Sequence, residues 1–449
     1  MKRILPIFLL CLTAILPPLH GQTPPRPAAD SLWSLDDCIR YAQQHNIEVQ
    51  QRALSVEQRN VELSTARFSR LPDLNAGIGY NISFGRGTSA DNTRKTETLR
   101  TGSFDVSASM PLFQGLRIDR RIKGSKLDLA AAMQDLERAR EDVAVNVMTR
   151  YLEVLYNKEL VAIAERQAAL SARQMARSRE LIAAGKQPES TLYESLALEA
   201  DDRLALTQAQ NDLKLALLDL SQTLNRESAA GFDIVVPVLD SVALSSLRQL
   251  GSAEAVYAEA VQQRPRIRSE RLRLESADNA IRTARSALYP SLYLRGGYGT
   301  GIYSTLNTDF WSQFAKNSNE FVGLSLSIPI FNRRATRNDI RTAKLSMRSQ
   351  ELVLLDAERT LRKEIEQAWA NADAAYAKYR SAEQALAAAR VAFDYEQRKI
   401  EAGRSTLFDF NDAKTRMEKA ESQSAQARYE FVFRQKILDF YRGEPPTLR

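Results

Sequence analysis

The chain contains one large internal repeat, in which the second half of the sequence reproduces the order of the first. The tripeptide at 65–67 recurs at 283–285, and every matching pair of positions is separated by 218 residues. A unit of about 200 residues is far longer than the ~20–50-residue units of solenoid proteins. The sequence therefore predicts duplication of one whole structural unit. The matching pairs include Thr65/Thr283, Pro72/Pro290, Gly79/Gly297, Pro111/Pro329, Lys126/Lys344 and Gly185/Gly403.

Each repeat changes its hydrophobic pattern in the same order: a helix, two strands, a long helix and a return helix. Stretches without glycine or proline, with apolar residues at helical spacing, predict helices that would extend ~90–105 Å if unbroken. The predicted segments are a first repeat at 32–225, a join at 226–251, a second repeat at 252–443 and a tail at 444–449. The predicted helices are 35–69, 116–184 and 189–225 in the first repeat, and 253–288, 333–402 and 405–441 in the second.

Two segments in each repeat alternate apolar residues with polar or very small ones, as strands with one face toward water do. In the first of them, Leu74 and Ile78 alternate with residues such as Asn75. Polar connections at 85–100 and 303–320 predict that each pair of strands forms a hairpin. The predicted strands are 72–84 and 103–113 in the first repeat, and 290–303 and 321–331 in the second.

The length of these strands indicates that they belong to a transmembrane sheet. Each has about 10–13 residues, close to the 9–11 that cross a bilayer as a tilted barrel strand. A sheet in lipid must close, because unpaired backbone groups are costly there, and four strands are too few to close. Two chains together would give eight strands with a filled interior, and three would give twelve with room for a lumen. A soluble sheet packed on helices is the alternative, but it leaves the long helices beside the strand pairs unexplained.

The first residues predict a secretory signal peptide rather than part of the fold. A short basic start precedes an apolar run interrupted by prolines, and the small residue Gly21 fits a cleavage point. The predicted signal peptide is 1–21, followed by a spacer at 22–31. A membrane anchor is the alternative, which the shortness of the run disfavours.

Charge and composition exclude several classes of function. The net charge of +7 over 449 residues is mild, and no basic block supports nucleic-acid binding. After the predicted leader, Cys38 and His45 are the only cysteine and histidine, so no intrachain disulfide, His/Cys metal cluster or His-based triad can form. With no nucleophile–base set and no phosphate loop, the sequence predicts neither an enzyme nor a cofactor.

In this order of elements the chain resembles the TolC-like outer-membrane efflux protein family, over about residues 32–443. The resemblance rests on the duplication, the turns at 71–74 and 289–292, the strand exits at 111–113 and 329–331, and the helix-hairpin tips. It implies a homotrimer: a twelve-stranded outer-membrane β-barrel, four strands per chain, continued by a long periplasmic α-helical barrel. It also implies a passive exit duct, energised by an inner-membrane RND pump or ABC exporter and joined to it by a periplasmic adaptor (membrane fusion protein).

The resemblance also implies where the duct narrows. In the second tip, Asp409 and Asp412 match two acidic residues of the family that form rings at the pore constriction. Six carboxylates in three chains would attract cations and repel anions. Glu194 is the nearest match in the first tip, which is three residues longer. Arg404 is the candidate for a link that holds the mouth closed, although the family's gate arginine lies one position later, at Ser405.

The family contacts its adaptor at the same tips. Ordinary helix capping by the two glycines is the alternative for these residues. Likewise, the two aspartates could simply favour the dipole of the helix that they begin. The predicted adaptor contacts are Ala184, Gly185 and Lys186 in the first tip and Ala402, Gly403 and Arg404 in the second.

Three functions follow from the sequence. The first is an exit duct in the outer membrane, extending into the periplasm, for small molecules such as drugs. The second is the same duct serving type I protein secretion, and the third is a periplasmic coiled-coil structural protein without a channel. The sequence barely separates the first two functions, and both are preferred over the third because a signal peptide, strands of spanning length and very long helices occur together.

Overall fold

The structure of the chain, a computed structural model, presents the two repeats as two similar runs of helices and strands. Predictions for the signal peptide, the spacer and most of the join between the repeats fall outside the described residues, as does the tail beyond 444. The described residues are 32–88, 93–96, 98–237, 252–304, 306 and 308–444.

The two repeats have in common two shorter helices, two long strands and a hairpin of two long helices. Among the described residues, no helix is both long and apolar enough to cross a membrane. The first repeat consists of α1 (Leu35–His45), α2 (Ile47–Phe68), β1 (Asp73–Ser83), β2 (Arg86–Thr88), β3 (Arg94–Thr96), β4 (Leu99–Phe113), α3 (Arg117–Ala183) and α4 (Ser190–Thr223). The second consists of α5 (Ala253–Gln263), α6 (Pro265–Arg285), a 3₁₀ turn (Ser286–Leu288), β5 (Ser291–Tyr303), α7 (Phe310–Lys316), β6 (Asn319–Ser327), α8 (Ala335–Glu401) and α9 (Leu407–Tyr441).

The first helix of each repeat is broken, whereas the sequence predicted continuous helices over 35–69 and 253–288. Asn46 has an extended backbone, and its side chain accepts two backbone N–H groups of the next turn, so it ends α1 and caps α2. Arg264 is extended because Pro265 follows it and takes the first position of α6. After each break, the short first helix still packs on the long helix of its own repeat, α1 on α3 and α5 on α8.

The four long strands form one antiparallel sheet in the order β1–β4–β5–β6. Strands β4 and β5 come from different repeats and pair along most of their length, so the repeats are joined at the centre of the sheet. Strands β1 and β6 are its two edges. The connections differ from the predicted polar loops, because β2 pairs with β3 in the first and α7 lies in the second.

Strand β6 ends at Ser327, although the sequence predicted a strand as far as 331. Pro329 follows two residues later and has no N–H to give to a strand ladder. The alternation of apolar residues continues through Ile328 and Ile330 and therefore predicted a longer strand, but Pro329 stands between them.

The main hydrophobic core lies near the middle of the long helices, about 50 Å from either end of α3. It brings together α1, α3, α4, α8, α9 and the chain segment around 232–235. Trp33 forms a parallel bridge with Ile234, and the hydroxyl of Tyr151 donates a 2.6 Å hydrogen bond to the carbonyl of Val235. This core holds the two helical hairpins side by side, with the sheet at one end and the hairpin tips at the other.

Candidate functional site

One face of the sheet is strongly apolar and is left largely uncovered by the rest of the chain. Ile78 lies opposite Phe104, and Leu294 lies opposite Leu324, so the even-numbered side chains of all four strands share this face. Ile78 is 80% exposed and Leu324 is 67% exposed. A soluble monomer rarely leaves an apolar surface of this kind open to water.

The opposite face of the sheet carries mostly small and polar side chains, with the aromatic residues Tyr293, Tyr303 and Phe321 among them. Gly77 lies opposite Asp105, and a Cβ atom at position 77 would come within 2.7 Å of Oδ1 of that aspartate. Gly299 lies opposite Asp105 on the other side, and Arg295 lies opposite Gly323. The glycines thus leave room for charged side chains, which suits contact with water.

Both helical hairpins turn through a glycine in the left-handed conformation. The φ angle is +69° at Gly185 and +71° at Gly403. The backbone N–H of the residue after each glycine donates a hydrogen bond to a carbonyl of the last helical turn. The bond is 2.8 Å long for Lys186 and 2.9 Å long for Arg404. The two tips therefore have the same backbone geometry despite their different lengths. All six residues predicted to contact the adaptor are exposed: Ala184, Gly185, Lys186, Ala402, Gly403 and Arg404.

The two aspartates of the second tip lie on the exposed side of the first turns of α9. Thr406 caps this helix: it accepts the N–H of Asp409 over 3.1 Å, and its hydroxyl donates to the Asp409 carboxylate over 2.7 Å. Asp412 forms a 2.6 Å ion pair with Arg416. Asp409 thus combines capping with an exposed charge, whereas a cation one turn away offsets the charge of Asp412. Sequence reasoning missed Arg416, although its i+4 spacing from Asp412 was a usable signal.

The two other predicted gate residues, Glu194 and Arg404, are both exposed. Glu194 is exposed near the start of α4, beside Ser195, whose hydroxyl lies 3.0 Å from that of Ser178 and holds α4 against α3. Arg404 is exposed, and within the described part of the chain its side chain forms no hydrogen bond or ion pair. A closing link through Arg404 stays a prediction.

Ser405, which stands where the family's gate arginine was expected, is engaged within its own tip. Its hydroxyl donates to the carboxylate of Glu396, which also lies 3.0 Å from the ammonium of Lys399. These two contacts lower the pKa of Glu396. On the neighbouring hairpin, Arg177 donates a 2.9 Å hydrogen bond to the carbonyl of Glu401, so the ends of α3 and α8 are tied together.

A buried ion pair joins the two hairpins about two turns into α9. Lys414 is 1% exposed; its ammonium contacts the carboxylate of Asp202 on α4 and lies 3.2 Å from that of Glu418. Burial raises the pKa of Glu418, and the charge of Lys414 opposes that rise. Sequence reasoning missed this pair because its members are 212 residues apart and only the packing of the hairpins brings them together.

Comparison with known proteins assigns the chain to a family. The family model described as outer membrane efflux protein matches residues 38–226 and 256–443, which is most of both repeats. The chain belongs to the outer membrane efflux protein family. Outer membrane protein TolC of Vibrio cholerae is 24% identical to it over 444 residues, covering 96% of this chain and 93% of that protein.

Further relatives and solved structures agree with this membership. The pyoverdine export outer membrane protein OpmQ of Pseudomonas putida is 25% identical over 456 residues, covering 96% of this chain and 92% of that protein. A crystal structure of CusC superimposes with a TM-score of 0.77 over 95% of this chain and 96% of that chain, at 17% identity. The likeness at this low identity extends to the complete fold.

Membership in the outer membrane efflux protein family confirms the predicted function, location and fold class. The chain is an outer-membrane channel protein of the efflux type. Its fold is the predicted duplicated mixture of α and β, in which each chain has one four-stranded sheet and long helices that extend into the periplasm. The family is one of transport proteins.

Proposed function

We propose that three identical chains form the working channel, with a twelve-stranded barrel closed by pairing β6 of each chain with β1 of the next. One observation carries this proposal: the sheet has four strands, two unpaired edges and an uncovered apolar face. In lipid such edges must be paired, and four strands cannot close alone. Two chains would give eight strands and a filled interior, whereas three give twelve and a lumen.

The long hairpins of the three chains would continue the barrel through the periplasm. At 1.5 Å per residue, the 67 residues of α3 and of α8 each span about 100 Å. The channel itself is passive in this proposal. An inner-membrane pump, of RND or ABC type, supplies the energy, and a periplasmic adaptor docks on the exposed tips.

The cargo that we propose is small molecules. The name of OpmQ describes export of pyoverdine, a small molecule, and that relative covers nearly the whole chain. Protein secretion is the second candidate, because the relative PrtF of Dickeya chrysanthemi is named a proteases secretion protein. Deleting the gene and measuring both drug susceptibility and the secreted proteins of the host separates the two: susceptibility should rise while the secreted proteins remain unchanged.

The acidic pair of the second tip is expected to make the channel select cations. Replacing Asp409 and Asp412 together with asparagine removes six charges per trimer but keeps an acceptor for the cap at Thr406. In planar bilayers we expect the preference for potassium over chloride to fall at least about threefold. Reversal potentials in a salt gradient measure this preference directly.

Arg416 supplies the matched control for this experiment. Because it offsets the charge of Asp412, Arg416→Ala should raise the preference for potassium while leaving the fold intact. If neither variant changes the reversal potential, the two aspartates do not line the narrowest part of the pore. A wild-type protein that produced no conductance at all would instead contradict the channel proposed here.

Substitutions at the tips should separate helix capping from adaptor contact. Gly403→Ala places a side chain at a left-handed position with nothing within 4 Å, so only backbone strain remains, and the free energy of unfolding is expected to fall by about 1 kcal/mol.

Lys186→Ala combined with Arg404→Ala should leave thermal unfolding unchanged but reduce export by the assembled system. Unchanged export in this double variant would show that the two cations are not needed for adaptor contact.

A further inference from the structure

The connection between β5 and β6 contains a short aromatic helix, α7, where the sequence predicted a polar loop. Its seven residues include Phe310, Trp311 and Phe314, and Asp309 caps its start by accepting the N–H of Ser312 over 3.0 Å. The helix lies at the end of the sheet that is farthest from the long helices. Because the long helices extend into the periplasm, this end of the sheet faces the outside of the cell.

Side-chain amides fasten α7 to β5 at the place where β6 stops. The β5–β6 pairing ends at Gly299, so the next backbone groups of β5 have no strand partner on that side. The N–H of Tyr303 donates to the side-chain oxygen of Gln313 over 2.8 Å, and Asn317 donates to the carbonyl of Gly301 over 2.7 Å. The position of α7 is therefore determined by hydrogen bonds to the sheet.

The helix covers the apolar face of the sheet and not the polar one. Thr300 and Phe104 lie opposite each other on the even-numbered, apolar side of β5 and β4. The hydroxyl of Thr300 donates to the carbonyl of Phe314 over 2.9 Å, and Thr300 is buried as a result. The rings of Phe104 and Phe314 meet edge to face, with their centroids 5.5 Å apart.

The outer side of α7 presents aromatic rings that none of the described residues covers. Trp311 is 74% exposed and Phe310 is 46% exposed, and their rings contact each other with centroids 5.2 Å apart. The charged residue of the helix is Lys316, in its last turn. Exposed aromatic side chains, tryptophan above all, are typical of the boundary between lipid tails and headgroups.

The position of α7 within the sheet distinguishes a lipid occupant from a neighbouring subunit. Phe314 of α7 contacts Phe104 of β4 and Thr300 of β5 on the face of the two inner strands, whereas a neighbouring chain would pair with β1 and β6 at the edges. The aromatic surface is also continuous with the apolar face that the proposed barrel turns toward lipid. Both features favour the bilayer as the occupant of this surface.

We propose that α7 is an interfacial anchor: it lies on the lipid side of the barrel, at the headgroup boundary of the outer leaflet, with Trp311 and Phe310 inserted into that boundary. By binding at this boundary, the seven-residue helix would determine how deeply the barrel sits in the membrane. The proposal rests on the proposed barrel, because it requires the even-numbered face of the sheet to contact lipid.

Quenching of tryptophan fluorescence by brominated lipid tests this position. The chain has three tryptophans, and Trp33 and Trp369 both lie in the helical part of the molecule. The emission of Trp311 is therefore the difference between the full-length wild type and Trp311→Phe, both reconstituted as assembled channels in liposomes. Lipid brominated near the headgroup should reduce this difference to about half, and lipid brominated near the chain end should reduce it less.

A second reporter makes failure of the anchor distinguishable from failure of the barrel. Ile78→Trp, made in the Trp311→Phe background, places an indole on the even-numbered face within the body of the sheet. Its emission should be quenched most by lipid brominated near the chain end. Quenching of this reporter without quenching of Trp311 would overturn the anchor alone, and quenching of neither would overturn the proposed barrel as well.

Acrylamide, a quencher that stays in the water phase, distinguishes the other two possible surroundings of Trp311, which are solvent and protein. Trp311 quenched by acrylamide but not by brominated lipid would mean that α7 stands in solvent above the membrane. Trp311 protected from both quenchers would mean that protein covers it, as a neighbouring subunit would. Either result would overturn the proposal, whereas quenching chiefly by lipid brominated near the headgroup supports it.

Discussion

Replacing Lys414 with methionine is expected to lower the free energy of unfolding by about 3–5 kcal/mol. The ammonium of Lys414 is buried between Asp202 and Glu418, so its removal leaves two carboxylates in a poorly solvated position. The pKa of Glu418 is already raised by burial, and the loss of the cation removes the contact that opposes this rise. Urea unfolding of the purified protein in detergent, followed by far-ultraviolet circular dichroism, measures the change.

Two further variants show whether the loss comes from uncompensated charge. Lys414→Met combined with Asp202→Leu and Glu418→Leu removes the cation together with both carboxylates and should recover most of the stability, because apolar side chains replace a buried ionic cluster at little cost. Arg416→Met, on the same helix, breaks an exposed ion pair and should cost less than about 1 kcal/mol. Equal losses in the three variants would mean that the buried pair has no special role in joining the hairpins.

Replacing Leu324 with arginine is expected to destabilise each chain by about 2–4 kcal/mol and to reduce the amount of assembled protein in the outer membrane. Leu324 lies on the even-numbered face, opposite Leu294, and is 67% exposed in the single chain. If that face meets lipid, the guanidinium is placed in the apolar part of the bilayer. Heating in detergent, followed by gel electrophoresis of the oligomer, measures the loss of stability.

Ser325→Arg is the matched control for this substitution. It introduces the same side chain one residue further along β6, on the polar face, where a guanidinium remains in water. The thermal stability of the oligomer should stay close to that of the wild type, while the ion selectivity changes. Similar losses in both variants would contradict the assignment of lipid and water to the two faces of the sheet.

Local sequence patterns predicted most of the elements because their causes are local. The alternation from Leu74 onward predicted β1 to within one residue at each end, since side chains in a strand alternate between faces whatever surrounds them. The glycines at 185 and 403 predicted both hairpin tips, since a left-handed residue is the usual end of a helix. The breaks at Asn46 and Arg264 were missed although the capping residue and Pro265 were in the sequence.

The candidate site also has features that the sequence predicts and features that depend on the folded structure. Exposure of Asp409 and Asp412 on one side of a helix follows from their spacing. The engagement of Ser405 with Glu396, and of Asp412 with Arg416, depends on which rotamers and neighbours the folded tip allows. The helix α7 was predicted as loop because its seven residues are too few for a helical period to be recognised, and its stability comes from bonds to β5.

The sequence by itself determined the duplication, the order of helices and strands, the two faces of each strand and the turns at the tips. Each of these follows from backbone preferences and side-chain period over a few neighbouring residues. Only the tertiary structure decided that β4 and β5 pair across the two repeats, that Lys414 is buried against Asp202, and that α7 lies on the apolar face. These features join residues far apart in the chain, and the packing of whole elements determines which distant residues meet.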